Sequence, residues 1–281
     1  MLKWTRRFLA AVSWAALTLL FLDFTGTTAK YCSWLAKLQV VPAALALSAC
    51  SLAVLLVLTI LFGRVYCTVL CPLGILQDFV RWATFGAWRP SVRGNWERNG
   101  RRWTRLGFLG VFLGGGGLGL HFAWLDPYAI YGRFASVCLS PLYRMGNNAL
   151  AARAAETGGD LFYAVPVVVP ATGFLLAASG LVSLVAALAV WRGRTWCNAA
   201  CPVGTVLGAI SRFAVYRPVI DPATCVKCRR CERICRTGSI RLETHAIDRS
   251  TCVACLDCIS VCPRRAISWT AARPEKTEEK T

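Results

Sequence analysis

Four stretches of the chain are apolar for long enough to leave water: residues 8–22, 41–62, 106–125 and 164–191. Each approaches the roughly 20 residues with which an α-helix crosses a hydrocarbon core. The pattern predicts an all-α membrane part of four transmembrane helices. Beyond residue 217 the long apolar runs stop, and the chain to residue 270 reads as a small α+β domain.

The four spans fall into two hairpins of common design. Gly63, Arg64, Tyr66, Cys67, Cys71, Pro72 and Gly74 are matched by Gly193, Arg194, Trp196, Cys197, Cys201, Pro202 and Gly204, with an aromatic ring in the same slot. Each set follows a pair of spans, so each hairpin ends in a Cys-x3-Cys-Pro turn, an internal repeat of the kind membrane proteins use. The chain divides accordingly. A first hairpin covers 1–63, and a loop with the first cysteine turn covers 64–105. A second hairpin covers 106–192 with an outer loop at 126–163. The second turn and a linker cover 193–217, the α+β domain 218–270, and a charged tail, expected to be disordered, 271–281.

Composition agrees with a bilayer. Apolar residues make up 56% of 281, only 16% are charged, and mean hydropathy is +0.50, too apolar for a soluble domain of this length. The formal charge of +18 raises the question of nucleic acid, but the basic residues flank the apolar runs as orientation signals do. No nucleic-acid partner is expected. Lysines and arginines number three in 1–7, eight in 64–105 and sixteen from 192 onward, against two in 23–41 and three in 126–163. The positive-inside rule then places both termini, the middle loop and the α+β domain in the cytoplasm of a bacterium, around a multi-pass inner-membrane protein. No cleavage site follows the first span, which reads as a signal anchor.

The cysteines define the chemistry. Cys225, Cys228, Cys231 and Cys235 are spaced x2, x2, x3, and Cys252, Cys255, Cys258 and Cys262 repeat that ruler before Pro263. This is the ligand pattern of a two-cluster bacterial ferredoxin, in which the fourth cysteine of each motif ligates the other cluster. Cys225, Cys228, Cys231 and Cys262 are assigned to one [4Fe–4S] centre, and Cys252, Cys255, Cys258 and Cys235 to the other. Structural zinc or disulfides would have to explain a doubled register of eight. Such clusters need reduced thiols, in keeping with a cytoplasmic domain.

The upstream turns leave three readings open. Cys67, Cys71, Cys197 and Cys201 converge on one metal or iron–sulfur site, form redox-active dithiols, or are inert cysteines in a turn. In each pair positions i and i+4 share a helix face. The proline makes Cys71 and Cys201 candidate helix N-caps, where the dipole would lower a thiol pKa. Residues 72–85 and 202–215 read as interfacial helices.

Smaller signals remain. His121, near Asp126 and Arg133, sits where a quinol could give up protons; a helix-end histidine at the headgroups is the plainer alternative. It is the only histidine of the membrane part, so a bis-histidine haem is excluded within the chain, and no Cys-x-x-Cys-His exists for a c-type haem. Four consecutive glycines, Gly114 to Gly117, suggest close helix packing or a bend. Cys32 and Cys138 could form a disulfide if the outer face is oxidising, and Cys50 reads as a small buried hydrophobe. Residues 221–270 carry nine Lys/Arg against five Asp/Glu, a surface suited to anionic headgroups or an acidic partner.

With these residues in place the chain resembles the NapH/MauN-type membrane ferredoxins and the membrane-plus-ferredoxin half of NosR-like proteins. The resemblance rests on the four spans, the turns at Cys67/Cys71 and Cys197/Cys201, the paired cluster motifs, and Trp124, Asp126, Pro127, Gly132 and Arg133 after the third span. It implies a quinol dehydrogenase subunit passing electrons between the quinone pool and a redox partner such as another ferredoxin, a cytochrome or a reductase subunit. Two features depart from it: Arg236 stands where the motif often has proline, and no flavin-binding domain is present. An assembly or maturation factor for a metalloenzyme, or a structural membrane anchor for a soluble reductase, are the competing expectations.

Overall fold

A computed structural model describes residues 2–85, 98–117, 124–156 and 163–271. It is mostly helical. Helix α1 (Leu2–Leu22) leads into α2 (Thr27–Lys37), α3 (Val40–Leu45) and α4 (Ala49–Phe62). The first cysteine turn is the single-turn helix α5 (Tyr66–Val69) followed by α6 (Pro72–Phe85). Helix α7 (Arg98–Gly117) precedes α8 (Pro127–Phe134), which runs through a π-helical turn at Ala135–Leu139 into α9 (Ser140–Glu156). Helix α10 (Thr172–Arg192) then leads to the second cysteine turn, α11 (Thr195–Ala199), and to α12 (Pro202–Ile210). His121 and residues 272–281 of the tail lie outside the described residues.

Among the described residues two helices are long and apolar enough to cross a membrane: Lys3–Leu22 and Thr172–Arg192. The other two expected spans differ for local reasons. The apolar run at 41–62 is split: α3 contains Pro42, Leu47 takes a left-handed φ of 49°, and α4 restarts after Ser48. Its 14 residues reach about 21 Å at 1.5 Å each, short of a bilayer core of about 30 Å. The run at 106–125 occupies the second half of α7 and continues beyond the described residues. The expected span at 164–191 begins only at Thr172, because Pro166 and Pro170 sit in an extended segment whose backbone is held from α9. There Asn148 pairs with both the N–H and the carbonyl of Val165 at 2.8 Å, and Arg144 donates to the Pro166 carbonyl at 3.0 Å.

The interior gathers around the repeat. On α10 the buried residues are Ala178, Val182, Val185 and Ala189, one stripe at helical spacing. The core joins Leu55, Tyr66, Leu73, Ile130, Val182, Trp196, Val203 and Leu207. Helix α6 of the first repeat packs on α10 of the second, and α12 packs on α4, so the halves are exchanged. Of the segments expected as interfacial helices at 72–85 and 202–215, Leu73, Ile75 and Gln77 of α6 and Val203, Leu207 and Gly208 of α12 are buried, while Phe79, Trp82 and Val206 stay exposed. Large side chains outside the core stay exposed, among them Phe174, Leu176, Val57 and Leu113.

One smaller expectation fails, that of a buried Cys50. Cys50 is exposed, and Cys32 and Cys138 are free thiols. A Cβ added at Gly114 would meet open space among the described residues.

The C-terminal unit is an α+β ferredoxin-type fold. Strands β1 (Tyr216–Ile220) and β4 (Ile267–Ala271) pair antiparallel, Ile220 opposite Ile267, and β2 (Ile240–Arg241) pairs with β3 (Ala246–Ile247). Helices α13 (Arg230–Ile234) and α14 (Asp257–Val261) follow the two cysteine loops and pack together. The loops have one backbone. φ is 51° and 60° at Lys227 and Arg229, and 51° and 61° at Ala254 and Leu256.

Candidate iron–sulfur centres and their coupling

Each helix ending in a cysteine turn stops at a glycine with the same geometry: Gly63 at φ 72°, ψ −150° and Gly193 at φ 71°, ψ −140°. Only glycine accepts that conformation without strain. The chain then drops into the single turn carrying the first cysteine, and proline opens the next helix. Cys201 caps α12, its sulfur accepting from the Gly204 amide at 3.3 Å. The cap expected from the Cys-Pro sequence is therefore present there.

The two turns lock each other by exchange. Arg194 donates from Nη1 to the Cys67 carbonyl at 2.7 Å, and from Nη2 to the Gly74 carbonyl at 3.0 Å. Arg64 in turn donates from Nη2 to the Cys197 carbonyl at 3.1 Å. Both guanidinium groups are buried, Arg64 to 0% and Arg194 to 1% exposure. Gly74 and Gly204 make room for this, since a Cβ on either would collide with the facing carbonyl of Cys67 or Cys197.

The exchange draws Cys67, Cys71, Cys197 and Cys201 together, all of them buried. Cys71 lies within electrostatic reach of the other three. Gln77 donates to the Cys197 sulfur at 3.4 Å. The pKa expectation is overturned: burial pushes the Cys71 and Cys201 thiols well up, neighbouring cysteines add to it, and the Gly74 and Gly204 amides only partly offset it. Desolvation of a thiolate outweighs the one amide that each cap supplies.

The outer partners of the two arginines differ. Arg194 holds Asp78 with both ends of its fork, Nε to Oδ1 at 2.9 Å and Nη2 to Oδ2 at 2.7 Å. Burial alone would raise Asp78, but Arg194 and Arg236 hold its carboxyl well below the usual carboxylate range. The repeat places Gly208 where the first half has Asp78. There the ferredoxin backbone takes the carboxylate's place: Arg64 donates from Nη1 to the Ser250 carbonyl at 3.1 Å and to Asn198 Oδ1 at 2.6 Å. A Cβ on Gly208 would stand 2.6 Å from that same carbonyl.

Ser250 and Thr251 lead directly into Cys252, and Val253 belongs to the same core as Cys67, Cys71 and Cys201. The second ferredoxin loop is thus docked on the cysteine turns. Arg236 fastens it, pairing with Asp78 at 2.6 Å and with Asp257 at 2.8 Å, while its carbonyl accepts from the Arg194 amide at 2.9 Å. The residue that departs from the ferredoxin motif is the bolt between the two parts. Lys3 and Arg7 at the start of α1 approach Asp257 at 3.4 and 3.6 Å.

Within the ferredoxin unit the cysteines fall into two neighbourhoods. Cys225, Cys228, Cys231 and Cys262 line one cavity with Ile220, Leu242 and Ile267. Cys235 lies among Cys252, Cys255 and Cys258. Cys235 and Cys262 each accept from a backbone amide four residues on, Ser239 and Ala266, at 3.3 Å. Among the described residues no three His, Cys, Asp or Glu side chains are grouped to share one metal ion. Zinc would draw thiolates to about 2.3 Å from its centre, whereas a cubane spreads its ligands over four corners. All-thiol donor sets in amide-lined, half-buried loops fit iron–sulfur clusters.

Asp126 caps α8, accepting from the Ala129 amide at 2.9 Å, and is 3% exposed. Burial pushes its carboxyl up to about 6, against the opposing pull of the Ala129 and Tyr128 amides and Arg133. It lies within electrostatic reach of Tyr66, so α8 brings it toward the first cysteine turn. Tyr66 donates to Gln39 Oε1 at 2.6 Å, and Gln39 donates to the Leu70 carbonyl at 3.2 Å. Arg133 stacks 4.2 Å from the Trp124 ring.

Comparison with known families agrees with this distribution. A family model described as a 4Fe–4S binding domain matches residues 44–94 and 173–218, the two halves that carry the Cys-x3-Cys-Pro turns. A second model of the same description matches residues 245–268. The chain is 25% identical over 185 residues to the ferredoxin-type protein NapH of Haemophilus influenzae, covering 65% of this chain and 50% of that one. It is 42% identical over 40 residues to an uncharacterized protein of Methanocaldococcus jannaschii, covering 14% of this chain and 16% of that one. The chain thus spans half or less of the length of these relatives. No solved structure matches it. The chain carries ferredoxin-type 4Fe–4S binding domains.

Proposed function

We propose that this protein is a quinol-linked electron-transfer subunit of a bacterial inner membrane. In this reading it holds two [4Fe–4S] clusters in its ferredoxin domain and a third iron–sulfur centre among Cys67, Cys71, Cys197 and Cys201. The observation that carries the proposal is Arg64, which binds the Cys197 carbonyl and the Ser250 carbonyl at once. One buried side chain joins the four-cysteine site to the loop bearing Cys252. When bound, each cluster supplies a one-electron carrier. The chain's own part is to hold the thiols dry, with Gln77 and the Gly74 and Gly204 amides directed at the sulfurs.

A multi-pass membrane part with cytoplasmic termini belongs to this proposal. Ion pairing of Lys3 and Arg7 with Asp257 supports it by keeping the N-terminus and the ferredoxin unit on one side. So do the apolar side chains exposed along α4 and α10, which suit lipid. Asp126 is the favoured proton acceptor for quinol, since a carboxyl near 6 is poised between its two states at working pH. Arg133 completes the proposed group, and His121 joins it on the sequence alone.

The test uses the full chain in lipid nanodiscs with reduced menaquinol under anaerobic conditions. The expected result is bleaching of the broad iron–sulfur absorbance, slowed at least about a hundredfold in Asp126→Asn, a loss in the range of general-base removal. Absence of reduction by any quinol, with clusters intact, contradicts the proposal.

A further inference from the structure

The two cysteine loops of the ferredoxin unit share a backbone and have opposite surroundings. Val253 is 1% exposed against the cysteine turns, while Val226, at the same place in the first loop, is 57% exposed. Cys228 is exposed as well. The side chains follow the surroundings. Ala254, Leu256 and Asp257 of the docked loop are replaced by Lys227, Arg229 and Arg230 in the open one, all exposed, with Arg264 and Arg265 exposed beside Pro263. Lys227's neighbours Val226, Arg229 and Arg230, together with Arg264, rim the cavity formed by Cys225, Cys228, Cys231 and Cys262.

The docked copy forms the same loop backbone without arginines. We propose that the first loop, residues 225–230 with Arg264 and Arg265, is the docking face for a soluble, acidic one-electron carrier protein, while the second loop is committed to the membrane part. This deepens the proposed function and rests on it. Charge complementarity selects the partner's sign, and the exposed Val226 and Cys228 supply the small apolar centre that such transient contacts surround with charge. Anionic lipid is the competing occupant. The loop offers no exposed aromatic to seat in headgroups, and its docked twin is the one turned to the helices.

The probe is an acidic soluble [2Fe–2S] ferredoxin, its affinity for the full chain in phosphatidylcholine nanodiscs measured against ionic strength. Lys227→Ala/Arg229→Leu copies the docked loop and so respects both positive φ angles. It should weaken binding about tenfold at low salt and flatten the salt dependence. Iron content and the visible spectrum should be unchanged. Arg230→Gln/Arg264→Gln serves if the first variant loses its cluster. Lys30→Ala/Lys37→Ala, on α2, removes the same charge elsewhere and should leave affinity within twofold. Equal affinity in wild type and loop variants overturns the proposal, as does an equal loss in the α2 variant. So does protection of residues 225–230 from hydrogen exchange by phosphatidylserine but not by phosphatidylcholine. Loss of the cluster spectrum in the wild type would instead sink the electron-transfer reading itself.

Discussion

The buried fork of Arg194 on Asp78 is the most demanding electrostatic feature of the fold. Arg194 is 1% exposed, and its two contacts with the carboxylate are 2.9 and 2.7 Å. Replacing Asp78 by asparagine leaves a buried guanidinium without its counter-charge and frees Arg236 from its 2.6 Å partner. Breaking such a pair costs about 3–5 kcal/mol, mostly the penalty of the charge left behind. Arg194→Met removes that charge, so the double variant should recover part of the loss, giving a coupling of about 2–4 kcal/mol. Arg64 has the same burial but faces carbonyls and Asn198 rather than Asp78. Its coupling to Asp78 should stay below about 0.5 kcal/mol. Equilibrium unfolding in mixed detergent micelles, followed by tryptophan fluorescence, measures both cycles. A coupling for Arg194 and Asp78 no larger than that for Arg64 and Asp78 would refute the reasoning.

Gly74→Ala and Gly204→Ala each drive a methyl into a cysteine carbonyl; each should cost about 2–3 kcal/mol and lower iron content, read by colorimetric assay. Gly146→Ala in α9 meets open space and should stabilise by about 0.5–1 kcal/mol. Val253→Lys buries an unpaired charge at a 1% exposed site and should cost at least about 3 kcal/mol, whereas Val226→Lys in the open loop should be neutral within about 0.5 kcal/mol in the same unfolding assay. For Asp126 the folded-state pKa of about 6 exceeds the ordinary 3.8, so the folded state binds more protons between those values. Stability should therefore fall as pH rises from about 4 to about 6, by at most about 3 kcal/mol at 1.36 per pH unit. Asp126→Asn should abolish that slope while keeping the α8 cap; an unchanged slope would show that Asp126 does not cause it.

Much of this was readable from spacing. The doubled cysteine ruler sorted the eight cysteines into two sets, because in two-cluster ferredoxins the fourth cysteine of each motif ligates the other cluster. The Gly-Arg-x-aromatic-Cys repeat revealed that two turns would be built alike. It left hidden that the arginines cross over, since a motif records its own residues and not the carbonyl opposite. Asp78 and Gly208 occupy one repeat position with different residues, and only the packed fold shows that the ferredoxin backbone fills the space of the absent carboxylate. Apolar length misjudged where the helices within 41–62 and 164–191 begin and break, since Pro42, Pro166 and Pro170 override hydropathy there. The dipole argument for lowered thiol pKa values failed because burial is a tertiary property.

Iron and acid-labile sulfide counted per chain bear most directly on the third centre. At four irons per cubane, anaerobically purified wild type should hold about twelve, and Cys67→Ser/Cys197→Ser about eight with the ferredoxin signals retained. About eight in both would contradict a cluster between the two Cys-x3-Cys-Pro turns.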